Sequence, residues 1–481
     1  MQNNKNQFSI LLFILFFIST LSYGQECNCE DNFEWTKKTF EENDAGFQYA
    51  IDRKGIAAYK SHNTIYLEKA KTTIKKVNCT ELLYEWMTFF RAGHIGIIPT
   101  TESTSEDSNI EKWETVDIDF SKFEKYINEK KEAGYEGIWQ LDSYKIGIKK
   151  EGENYIGFII EAEAQNWKKG EIKLRINKEN EGIKSIFYLR NKSKREFETV
   201  KLLGKNYLKM GGFYLKRLNS KFPIDEAIVS FVKYISSEKP FVEELNETTI
   251  VLRVPTFSSY AKKDIDSVIA FYKEKILKTE NLIIDLRNNG GGSDYSYKEI
   301  LPFIYTNPIR TVGVELLSTK LNNQRMLDFV NEPKYGFDEE QKKWAKESFE
   351  KLDKNLNQFV NLNDSVVSTN VLGVIHENPK NVAIIIHEKN GSTTEQFLLA
   401  AKQSKKVKLF GTTTFGVLDI SNMYFVKSPC EEFELGYSLS KSMRIPEMAI
   451  DSKGIQPDFY IDKSIPDYKW LQFVNKIMNT K

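Results

Sequence analysis

The sequence predicts an α/β protein with a helical N-terminal region and an antiparallel β domain inserted before the main α/β domain. Three observations support this prediction. Apolar residues recur at helical spacing between residues 31 and 92, short alternating runs follow one another between 110 and 222, and strands alternate with helices from 223 onward. Alternation of that kind is typical of a largely buried sheet that is covered by helices.

Length and composition describe an ordinary globular protein of two or three domains. The chain has 481 residues, of which 41% are hydrophobic and 28% are charged. Its 68 basic and 67 acidic side chains leave a formal net charge of +1. This balance offers no long-range attraction to nucleic acid or to an anionic membrane, so we expect neither as a partner.

The first 24 residues predict a signal peptide. One early lysine precedes an apolar stretch from Phe8 to Ile18, and small and polar residues then lead to Gly24. That stretch is too short to cross a hydrocarbon layer of about 30 Å as a helix. We therefore expect an exported protein, periplasmic or extracellular, with no membrane span in the mature chain. Lipid attachment is less favoured because Cys27 follows a glutamate rather than a small residue.

Export would permit disulfide bonds among Cys27, Cys29, Cys79 and Cys430. A bridge from Cys27 or Cys29 to Cys79 would attach the mature N-terminus to the first helical region. Four cysteines allow three complete pairings, and the sequence does not choose among them. No histidine lies at ligand spacing from these cysteines, so we predict no metal site.

Residues 25–108 are the predicted N-terminal helical region. Within "CTELLYEWMTFFRAGH", apolar residues share one helical face, with Thr80 as the predicted N-cap and Gly93 just past the helix end. "HIGII" then alternates like a short strand. Residues 109–222 are the predicted antiparallel β domain, and the sequence leaves its role open. Residues 223–481 are the predicted α/β domain, with "NLIIDL", "NVAIIIH" and "KVKLFG" among its buried strands.

Three consecutive glycines follow one of these strands, in "LIIDLRNNGGGSDYS" at residues 282–296. Glycines in a row suggest backbone that approaches another group closely or adopts a positive φ. One use of such backbone is to direct amide N–H groups at a developing oxyanion. The simpler alternative is a tight turn. A phosphate-binding loop is disfavoured because no Lys-Ser/Thr pair follows the glycines.

Ser392 lies in "EKNGSTTEQF", between a buried strand and a predicted helix. The pattern Ser-x-x-Glu is a capping box, in which Ser392 and Glu395 satisfy free N–H groups at a helix start. A serine at this junction also has its hydroxyl at the positive end of a helix, where it could act as a nucleophile. Capping and attack compete for the same oxygen.

These segments together resemble the C-terminal processing (tail-specific) serine protease family. The matching pieces are "DLRNNGG", "STTE", "GTTTFG" and "GIQPD", in that order, and the resemblance covers roughly residues 223–470 and the stretch around residue 94. It implies a crotonase-like ββα superhelix preceded by a helical bundle. Among the relatives, the branch of tricorn-core proteases and interphotoreceptor retinoid-binding protein is the more similar, since the lysine of the Ser–Lys branch is missing here.

The resemblance also implies roles for individual residues. Ser392 matches the family's nucleophile, and the N–H of Thr393 matches one oxyanion donor. The second donor is expected from Gly291 or Gly292. Val417 stands where the Ser–Lys branch carries its basic lysine, and valine cannot accept a proton.

A histidine and a carboxylate replace that lysine in the tricorn-like branch. "FFRAGHIGI" resembles the family's N-terminal histidine motif, which makes His94 the candidate base. An imidazole with an ordinary pKa near 6.5 suits this work at neutral pH. Asp451 is the candidate third member, placed to orient the imidazole and stabilise it once protonated. Glu447 is the alternative.

The resulting prediction is an exported serine peptidase that hydrolyses peptides or unfolded protein tails through a Ser392–His94–Asp451 relay and an acyl-enzyme. Two alternatives stay open at this point. One is a catalytically inactive protein that binds peptide or another ligand on the same scaffold, and the other is an esterase for non-peptide substrates. No cofactor is implied, and the sequence leaves the oligomeric state open.

Overall fold

The structure of the protein is a computed structural model that describes residues 27–100, 113–163, 166–179 and 182–480. The predicted signal peptide, residues 1–24, lies outside this part of the chain. Within the described ranges, no helix is long and apolar enough to cross a membrane. Helices and sheets are mixed throughout, which confirms the predicted α/β class.

Four helices and one short strand form the N-terminal region: α1 (Cys29–Asn43), α2 (Phe47–Lys54), α3 (Ile56–Thr72), α4 (Lys76–Thr88) and β1 (Gly96–Pro99). Aromatic side chains dominate the core between these helices, with Phe33, Phe40 and Trp86 fully buried. The prediction that Thr80 caps α4 was wrong, because the helix begins four residues earlier, at Lys76. Buried Cys79 lies in the first turn and is held against α1, so tertiary contacts stabilise that turn.

Two disulfide bonds involve this region. Cys29 pairs with Cys79, which is one of the two bridges considered for Cys79. Cys27 pairs with Cys430, so the beginning of the described chain is attached to the C-terminal half. A cross-link between segments 403 residues apart restricts the unfolded chain strongly.

The middle of the chain forms one antiparallel sheet of nine strands, preceded by α5 (Phe120–Glu129). The strands are β2 (Gly137–Leu141), β3 (Tyr144–Glu151), β4 (Asn154–Ala162), β5 (Ile172–Glu179), β6 (Gly182–Tyr188), β7 (Lys194–Phe197), β8 (Val200–Leu203), β9 (Tyr207–Met210) and β10 (Phe213–Arg217). Their order in the sheet is β7-β6-β5-β4-β3-β2-β10-β9-β8. Trp139 and Trp167 are buried in its core.

The remaining strands belong to the C-terminal part. They are β11 (Phe241–Asn246), β12 (Thr249–Arg253), β13 (Asn281–Asp285), β14 (Ile309–Val312), β15 (Val314–Leu317), β16 (Phe359–Val360), β17 (Val367–Asn370), β18 (Asn381–Ile386), β19 (Val407–Gly411), β20 (Ile420–Lys427), β21 (Phe433–Ser442) and β22 (Phe459–Tyr460). The main sheet has the order β11-β12-β13-β18-β19-β22, with β11 antiparallel to β12 and the later neighbours parallel.

Helices cover both faces of this main sheet. The helices described in the C-terminal part are α6 (Glu226–Ser236), α7 (Lys262–Lys278), α8 (Leu301–Ile304), α9 (Lys320–Asn331), α10 (Glu339–Asp353), α11 (Thr393–Ala401) and α12 (Trp470–Met478). Of these, α9 and α10 pack against β15 and β16 of the second sheet rather than on the main sheet. On one face Ile284 packs in the same core as residues of α7 and α11, and on the other Ile283 packs with Trp470 of α12. Burial on both faces explains why the strand sequences are continuously apolar.

Strand pairing brings the predicted site segments together. In the parallel register of β13 and β18, Asp285 is paired with Ile385, so the glycine segment and the Ser392 segment leave neighbouring strands at one edge. A second sheet has the order β1-β21-β15-β16, with β20 on the other side of β21. Its strand β1 comes from the N-terminal region. There Gly96 of β1, which follows His94 by two residues, pairs with Gly436 of β21.

Candidate active site

Ser392 and His94 meet although 298 residues separate them in the chain. The Ser392 Oγ lies 3.0 Å from the His94 Nε2, within hydrogen-bond distance. Ser392 stands between the loop after β18 and the first residue of α11, and it is half-buried. The arrangement brings a hydroxyl and an imidazole into the relation that nucleophilic catalysis requires.

The backbone of Ser392 adopts a conformation that is rare for a residue with a side chain. Its φ is 55° and its ψ is −126°. Surrounding hydrogen bonds hold it there: the Glu395 carboxylate accepts the Ser392 N–H at 3.2 Å, and the Thr393 hydroxyl donates to the Gly292 carbonyl at 2.9 Å. Such strained backbone clusters at functional sites, where the neighbouring structure over-determines it.

Glu395 is fully buried and joins three segments around the nucleophile. Besides the Ser392 N–H, its carboxylate accepts the Thr414 hydroxyl at 2.5 Å, the Gly416 N–H at 2.7 Å and the Val417 N–H at 2.9 Å. Burial raises the pKa of this carboxyl above its ordinary value, and the four donors oppose that shift. Glu395 therefore holds the "GTTTFG" segment against the start of α11.

His94 has its ring orientation set by a backbone carbonyl. The Nδ1 lies 2.7 Å from the carbonyl oxygen of Ile420. A carbonyl can only accept, so the Nδ1 carries the proton, and the neutral ring then presents an unprotonated Nε2 to Ser392. The local geometry gives the tautomer that a general base needs.

The pKa of His94 is lowered from its ordinary value. Burial is the largest cause, and the nearby Arg91 cation contributes in the same direction, while the hydrogen bond to Ile420 opposes both. A lowered pKa keeps the imidazole neutral at pH 7 and able to accept a proton. The backbone of His94 also has a positive φ, 54°, so it is a second strained residue in the site.

Arg91 and Asp44 hold the turn that carries His94, which we call the histidine turn. The Arg91 guanidinium donates to both carboxylate oxygens of Asp44, to the Gly93 carbonyl at 3.0 Å and to the His94 carbonyl at 2.8 Å. Asp44 in turn accepts the N–H of Ser438 in β21 at 3.0 Å. This nearly buried pair ties the turn to the second sheet.

Asp451 does not occupy the position predicted for it. Its carboxylate accepts the N–H groups of Leu418 and Asp419, both at 2.7 Å, and that of Ile420 at 3.3 Å. The partner of the His94 Nδ1 is the Ile420 carbonyl, so the prediction that Asp451 orients the imidazole directly was wrong. Asp451 is instead connected to the ring through the backbone of residues 418–420. Glu447, the alternative, is exposed.

A second buried carboxylate, Asp419, completes this segment. Its side chain accepts the N–H of Asp451 at 2.8 Å and pairs with Arg444 at 3.0 Å. Burial raises the pKa of Asp451 to about 6, and the Asp419 charge adds to the shift, while the backbone donors oppose it. Each of the two aspartate side chains therefore accepts a hydrogen bond from the backbone N–H of the other.

Gly291 is excluded as an oxyanion donor, which corrects one of the two predicted positions. Its N–H donates to the Asn289 side-chain oxygen at 3.0 Å and is not free for a ligand. For the N–H groups of Gly292 and Thr393, the described part of the chain shows no hydrogen-bond partner. These two amides are the available donors next to the nucleophile.

Gly291 has a different function, which depends on its small size. A Cβ added at this position would lie 2.9 Å from the Ser392 Cβ and 3.0 Å from the Thr393 nitrogen. Its φ of 110° is also unfavourable for other residues. We call the turn that carries Ser392 the nucleophile turn. The glycine segment approaches it more closely than any side chain at position 291 would permit.

Val417, which the sequence analysis places where the Ser–Lys branch would carry its lysine, lies close to both Gly93 and Gly391. A Cβ added at Gly93 would lie 2.6 Å from the Val417 Cγ1, and one added at Gly391 would lie 2.7 Å from its Cγ2. The valine side chain is therefore packed between the histidine turn and the nucleophile turn. It contributes shape to the site and no proton-accepting group.

Sequence reasoning missed the two asparagines that connect the loops. Asn289 Oδ1 also accepts the Thr394 hydroxyl at 2.9 Å, and Asn390 Nδ2 donates to the carbonyls of Leu286 at 2.6 Å and Asn289 at 2.9 Å. Both side chains are fully buried. The only available signal was a polar residue placed directly after an apolar strand. In the described part of the chain, no cluster of three His, Cys, Asp or Glu side chains could hold a metal ion.

Comparisons with known proteins relate part of the chain to a peptidase family. A family model of peptidase family S41 matches residues 248–461. The chain is similar to the solved structure of mature CPAF complexed with lactacystin, with 12% identity, a TM-score of 0.51, and coverage of 94% of this chain and 97% of that one. At such identity the likeness shows the fold alone. No curated protein matches the chain in sequence.

Two further solved structures match with lower scores. The photosystem II D1 C-terminal processing protease has 10% identity over 95% of this chain and 98% of that chain, with a TM-score of 0.40. The tricorn protease has 11% identity over 94% of this chain and 36% of that chain, also with a TM-score of 0.40. These comparisons support, for residues 248–461, a relationship to peptidase family S41, which is a family of serine-type peptidases.

Proposed function

We propose that the protein is an active serine-type peptidase with Ser392 as the nucleophile and His94 as the general base. The observation that carries the proposal is the 3.0 Å distance between the Ser392 Oγ and the His94 Nε2. The tautomer set by Ile420 supports it, because the unprotonated nitrogen faces the hydroxyl.

The proposed reaction has two steps, acylation of Ser392 and hydrolysis of the acyl-enzyme. The Ser392 oxygen bonds to the substrate carbonyl carbon while its proton passes to His94 Nε2, and the carbonyl electron pair moves to oxygen. Collapse of this tetrahedral species breaks the C–N bond, and His94 returns the proton to the leaving amine. Water then repeats the sequence on the acyl-enzyme and releases the acid.

The N–H groups of Gly292 and Thr393 are the proposed donors to the oxyanion. Thr393 follows the nucleophile and begins α11, so its N–H also carries the positive end of a helix dipole. The Thr393 hydroxyl holds the Gly292 carbonyl at 2.9 Å, which keeps the two segments together. Removing one such donor from a hydrolase costs on the order of 10²–10³ in kcat.

A backbone carbonyl is the proposed third partner in place of a carboxylate. The Ile420 oxygen carries only a partial negative charge, so it fixes the ring but stabilises the imidazolium less than an aspartate would. Asp451 and Asp419 act as positioning residues for that carbonyl. The Ser–His–Asp relay of the sequence prediction thus becomes a Ser392–His94 pair with an indirect aspartate.

Substrate and location follow from the same proposal. Peptides or unfolded protein tails are the proposed substrates, and export to the periplasm or the exterior is the proposed location. We also propose, from the family relationship, that residues 223–481 adopt the crotonase-like ββα superhelix.

A fluorophosphonate probe tests the site directly. We expect covalent labelling of the wild-type protein and of a His376→Ala control, and loss of labelling in both Ser392→Ala and His94→Ala. Labelling that persists in His94→Ala would exclude this histidine as the base, and a wild-type protein that never labels would be an inactive binding protein. Turnover of a peptide library compared with simple esters separates a peptidase from an esterase.

The labelling rate should depend on pH through His94. Burial lowers the pKa of this imidazole below 6.5, the ordinary pKa of histidine. The labelling rate should therefore decrease as the pH is lowered, with a midpoint below pH 6.5. The check is the rate of probe attachment between pH 4.5 and 8 under conditions where circular dichroism shows a folded protein. A midpoint above 6.5 would contradict a buried base without a carboxylate partner.

A further inference from the structure

Lys173 of β5 is a titratable side chain that the proposed mechanism does not use. It is fully buried, with 0% of its surface exposed. Lysine is almost never fully buried unless it is paired. Within the described ranges, Lys173 forms no ion pair, and its Nζ has one long hydrogen bond, at 3.4 Å to the Leu189 carbonyl. The β domain therefore holds a buried amine without a paired carboxylate.

An irregularity in the sheet directs this side chain inward. The residues on either side of Lys173 pair with consecutive residues of β4, Ile172 with Phe158 and Leu174 with Gly157. Lys173 is therefore the extra residue of a β-bulge. A bulge leaves its extra residue unpaired and changes the direction in which a side chain points. The bulge places the Lys173 amine against the aromatic core of the sheet.

Three aromatic rings lie around the Lys173 amine, and we call them the aromatic box. The Nζ is 3.9 Å from the centre of the Trp167 ring, 4.0 Å from that of Tyr144 and 5.0 Å from that of Phe187. All three rings belong to the core of the sheet. Ring faces attract an ammonium, but more weakly than the water that a buried ammonium loses. The box therefore favours the neutral amine.

The charged groups on the neighbouring segments leave a proton on Lys173 without compensation. Lys192, in the turn after β6, pairs with Glu171 at 2.9 Å. The second Glu171 oxygen accepts the Lys168 N–H at 2.8 Å. Glu171 keeps its negative charge, but Lys192 balances it, so a protonated Lys173 adds one positive charge to a neutral pair. Burial lowers the pKa of Lys173 to about 7, and the Lys192 charge adds to the shift.

In the described part of the chain, the other ionisable groups beside the aromatic box supply no counter-ion. Burial raises the pKa of the Tyr144 phenol, so it stays neutral at pH 7. Arg190 and Asp142 act on that phenol with opposite signs, and both are exposed to solvent. The shift at Lys173 arises from burial and from Lys192. Its protonation is therefore governed by whether water reaches the amine.

Residues 166–169, in the loop between β4 and β5, supply one wall of the aromatic box. Trp167 is buried, while the residues at 166, 168 and 169 are exposed. The Trp167 Nε1 has no hydrogen-bond partner in the described part of the chain. A buried donor without a partner costs stability, and it gains a partner when water reaches it. Segment 166–169 is therefore a weakly held part of the β domain.

We propose that Lys173 is a pH-sensitive element of the β domain: segment 166–169 stays closed over the aromatic box while Lys173 is neutral, and it opens when Lys173 takes up a proton. In the open state, the ammonium and the Trp167 Nε1 both gain water as a partner. The proton comes from solvent and returns to it, so no other reactant is needed. The proposal goes beyond the proposed function and does not depend on it, because neither Ser392 nor His94 takes part.

The direction of the effect follows from the two protonation equilibria of Lys173. In the open state it titrates near its ordinary pKa of 10.5, and in the closed state its pKa is about 7. The open state binds the proton more tightly, so lowering the pH from 10.5 to 7 favours opening. The ratio of closed to open protein should rise about 50-fold from pH 7 to pH 9, and it should change by no more than about twofold between pH 6 and pH 7.

Limited proteolysis measures the opening. Trypsin cuts after Lys168 and Lys169 in the segment, and mass spectrometry gives the rate of cleavage there, which follows the population of the open state. The parent is Ser392→Ala protein, so that hydrolysis by the protein itself does not contribute. Dividing its rate by that of Lys173→Met at the same pH cancels the pH dependence of trypsin. This ratio should be about 50-fold larger at pH 7 than at pH 9, and a constant ratio would overturn the proposal.

Two substitutions lock the element in opposite states. Methionine is similar in length and uncharged, so Lys173→Met should be cut slowly at every pH and melt at a higher temperature than the parent. Arginine stays protonated, so Lys173→Arg should be cut fast at every pH. The control Lys178→Met removes an exposed lysine of the same strand and should follow the profile of the parent. Cleavage of Lys173→Met as fast as that of the parent at pH 7 would refute the element.

Carbon-13 NMR of protein labelled at the lysine Cε follows the protonation of Lys173 without a protease. One resonance should titrate near pH 7, and it should be missing from Lys173→Met but present in Lys178→Met. If that resonance instead titrated near pH 10.5, the closed state would hold the proton and the proposal would be wrong. Because neither measurement uses the reaction at Ser392, a failed fluorophosphonate experiment and a failed test of Lys173 remain distinguishable.

Discussion

The nucleophile turn and the histidine turn solve the same problem by different means. Each turn places a residue with a side chain at a positive φ, 55° for Ser392 and 54° for His94. The nucleophile turn is held mostly by its immediate C-terminal neighbours, since Glu395 is three residues away and α11 begins at the next residue. The histidine turn is held by Asp44 and by β21, far away in sequence.

The difference shows which half of the site is the more dependent on the whole fold. Ser392 keeps its surroundings as long as the main sheet is intact, because the adjacent strands deliver both loops. His94 reaches it only if β1 pairs with β21 and the Ile420 carbonyl is in place. We therefore expect damage to the histidine turn to abolish catalysis before it alters the nucleophile.

The largest effect is expected from breaking the pair of Arg91 and Asp44. Arg91→Met leaves a fully buried carboxylate without its cation and releases the carbonyls of Gly93 and His94. Loss of one partner of a buried pair costs about 3–5 kcal/mol of stability. Chemical denaturation measures this cost, and probe labelling should be lost even where the protein is folded.

The matched control is Lys37→Met, which removes the exposed pair with Glu34. Surface pairs contribute about 0–1 kcal/mol, so this variant should be nearly as stable as the parent. If Arg91→Met were equally mild and labelled normally, the histidine turn would not depend on this clamp.

A smaller effect is expected from the titration of Asp451. Its pKa is about 6 in the folded protein and near 3.9 when unfolded, so the folded state holds this proton more tightly. The contribution of Asp451 to stability is therefore highest below pH 4, and it decreases as the pH rises to 6, by roughly 3 kcal/mol.

The comparison with Asp451→Asn isolates this contribution, since asparagine does not titrate. The free energy of unfolding of the parent minus that of the variant should decrease between pH 4 and pH 6 and stay level above. His94 titrates in the opposite sense in this range but cancels in the difference. A difference that is constant with pH would show that Asp451 is ionised throughout.

The smallest effect concerns the contact between the two turns. Gly391→Ala would place its Cβ 2.7 Å from the Val417 Cγ2, an overlap that costs about 1–3 kcal/mol. The next nearest atom, Phe415 Cδ1, is 3.6 Å from the added Cβ. Replacing Val417 with alanine, which removes both valine methyl groups, should therefore relieve the clash. Gly391→Ala combined with Val417→Ala should be more stable than Gly391→Ala alone.

A double-mutant cycle on thermal unfolding checks this prediction. The control is Gly336→Ala, at a position where an added Cβ meets nothing but φ is 63°. Its cost should be independent of Val417→Ala. Additive behaviour of Gly391 and Val417 would mean that the two turns are not in contact through this side chain.

Local patterns were enough to predict several features of the protein. Apolar strands and polar strand ends predicted the buried sheet, and the family resemblance identified the two residues that meet at 3.0 Å. The patterns were insufficient where one group acts through another. Asp451 was assigned to the imidazole, yet it binds the N–H groups of the segment whose carbonyl holds that ring. A one-dimensional motif does not distinguish a direct contact from one mediated by backbone.

By itself, the sequence determined the α/β class, the glycine segment and the placement of a serine at a strand–helix junction. These features depend on side-chain periodicity and on backbone freedom, which are local properties of the chain. The tertiary structure decided which nitrogen of His94 faces the serine, which amides remain free, and which lysine is buried among aromatic rings. Those outcomes depend on hydrogen bonds and packing between segments hundreds of residues apart, and such contacts exist only after the chain has folded.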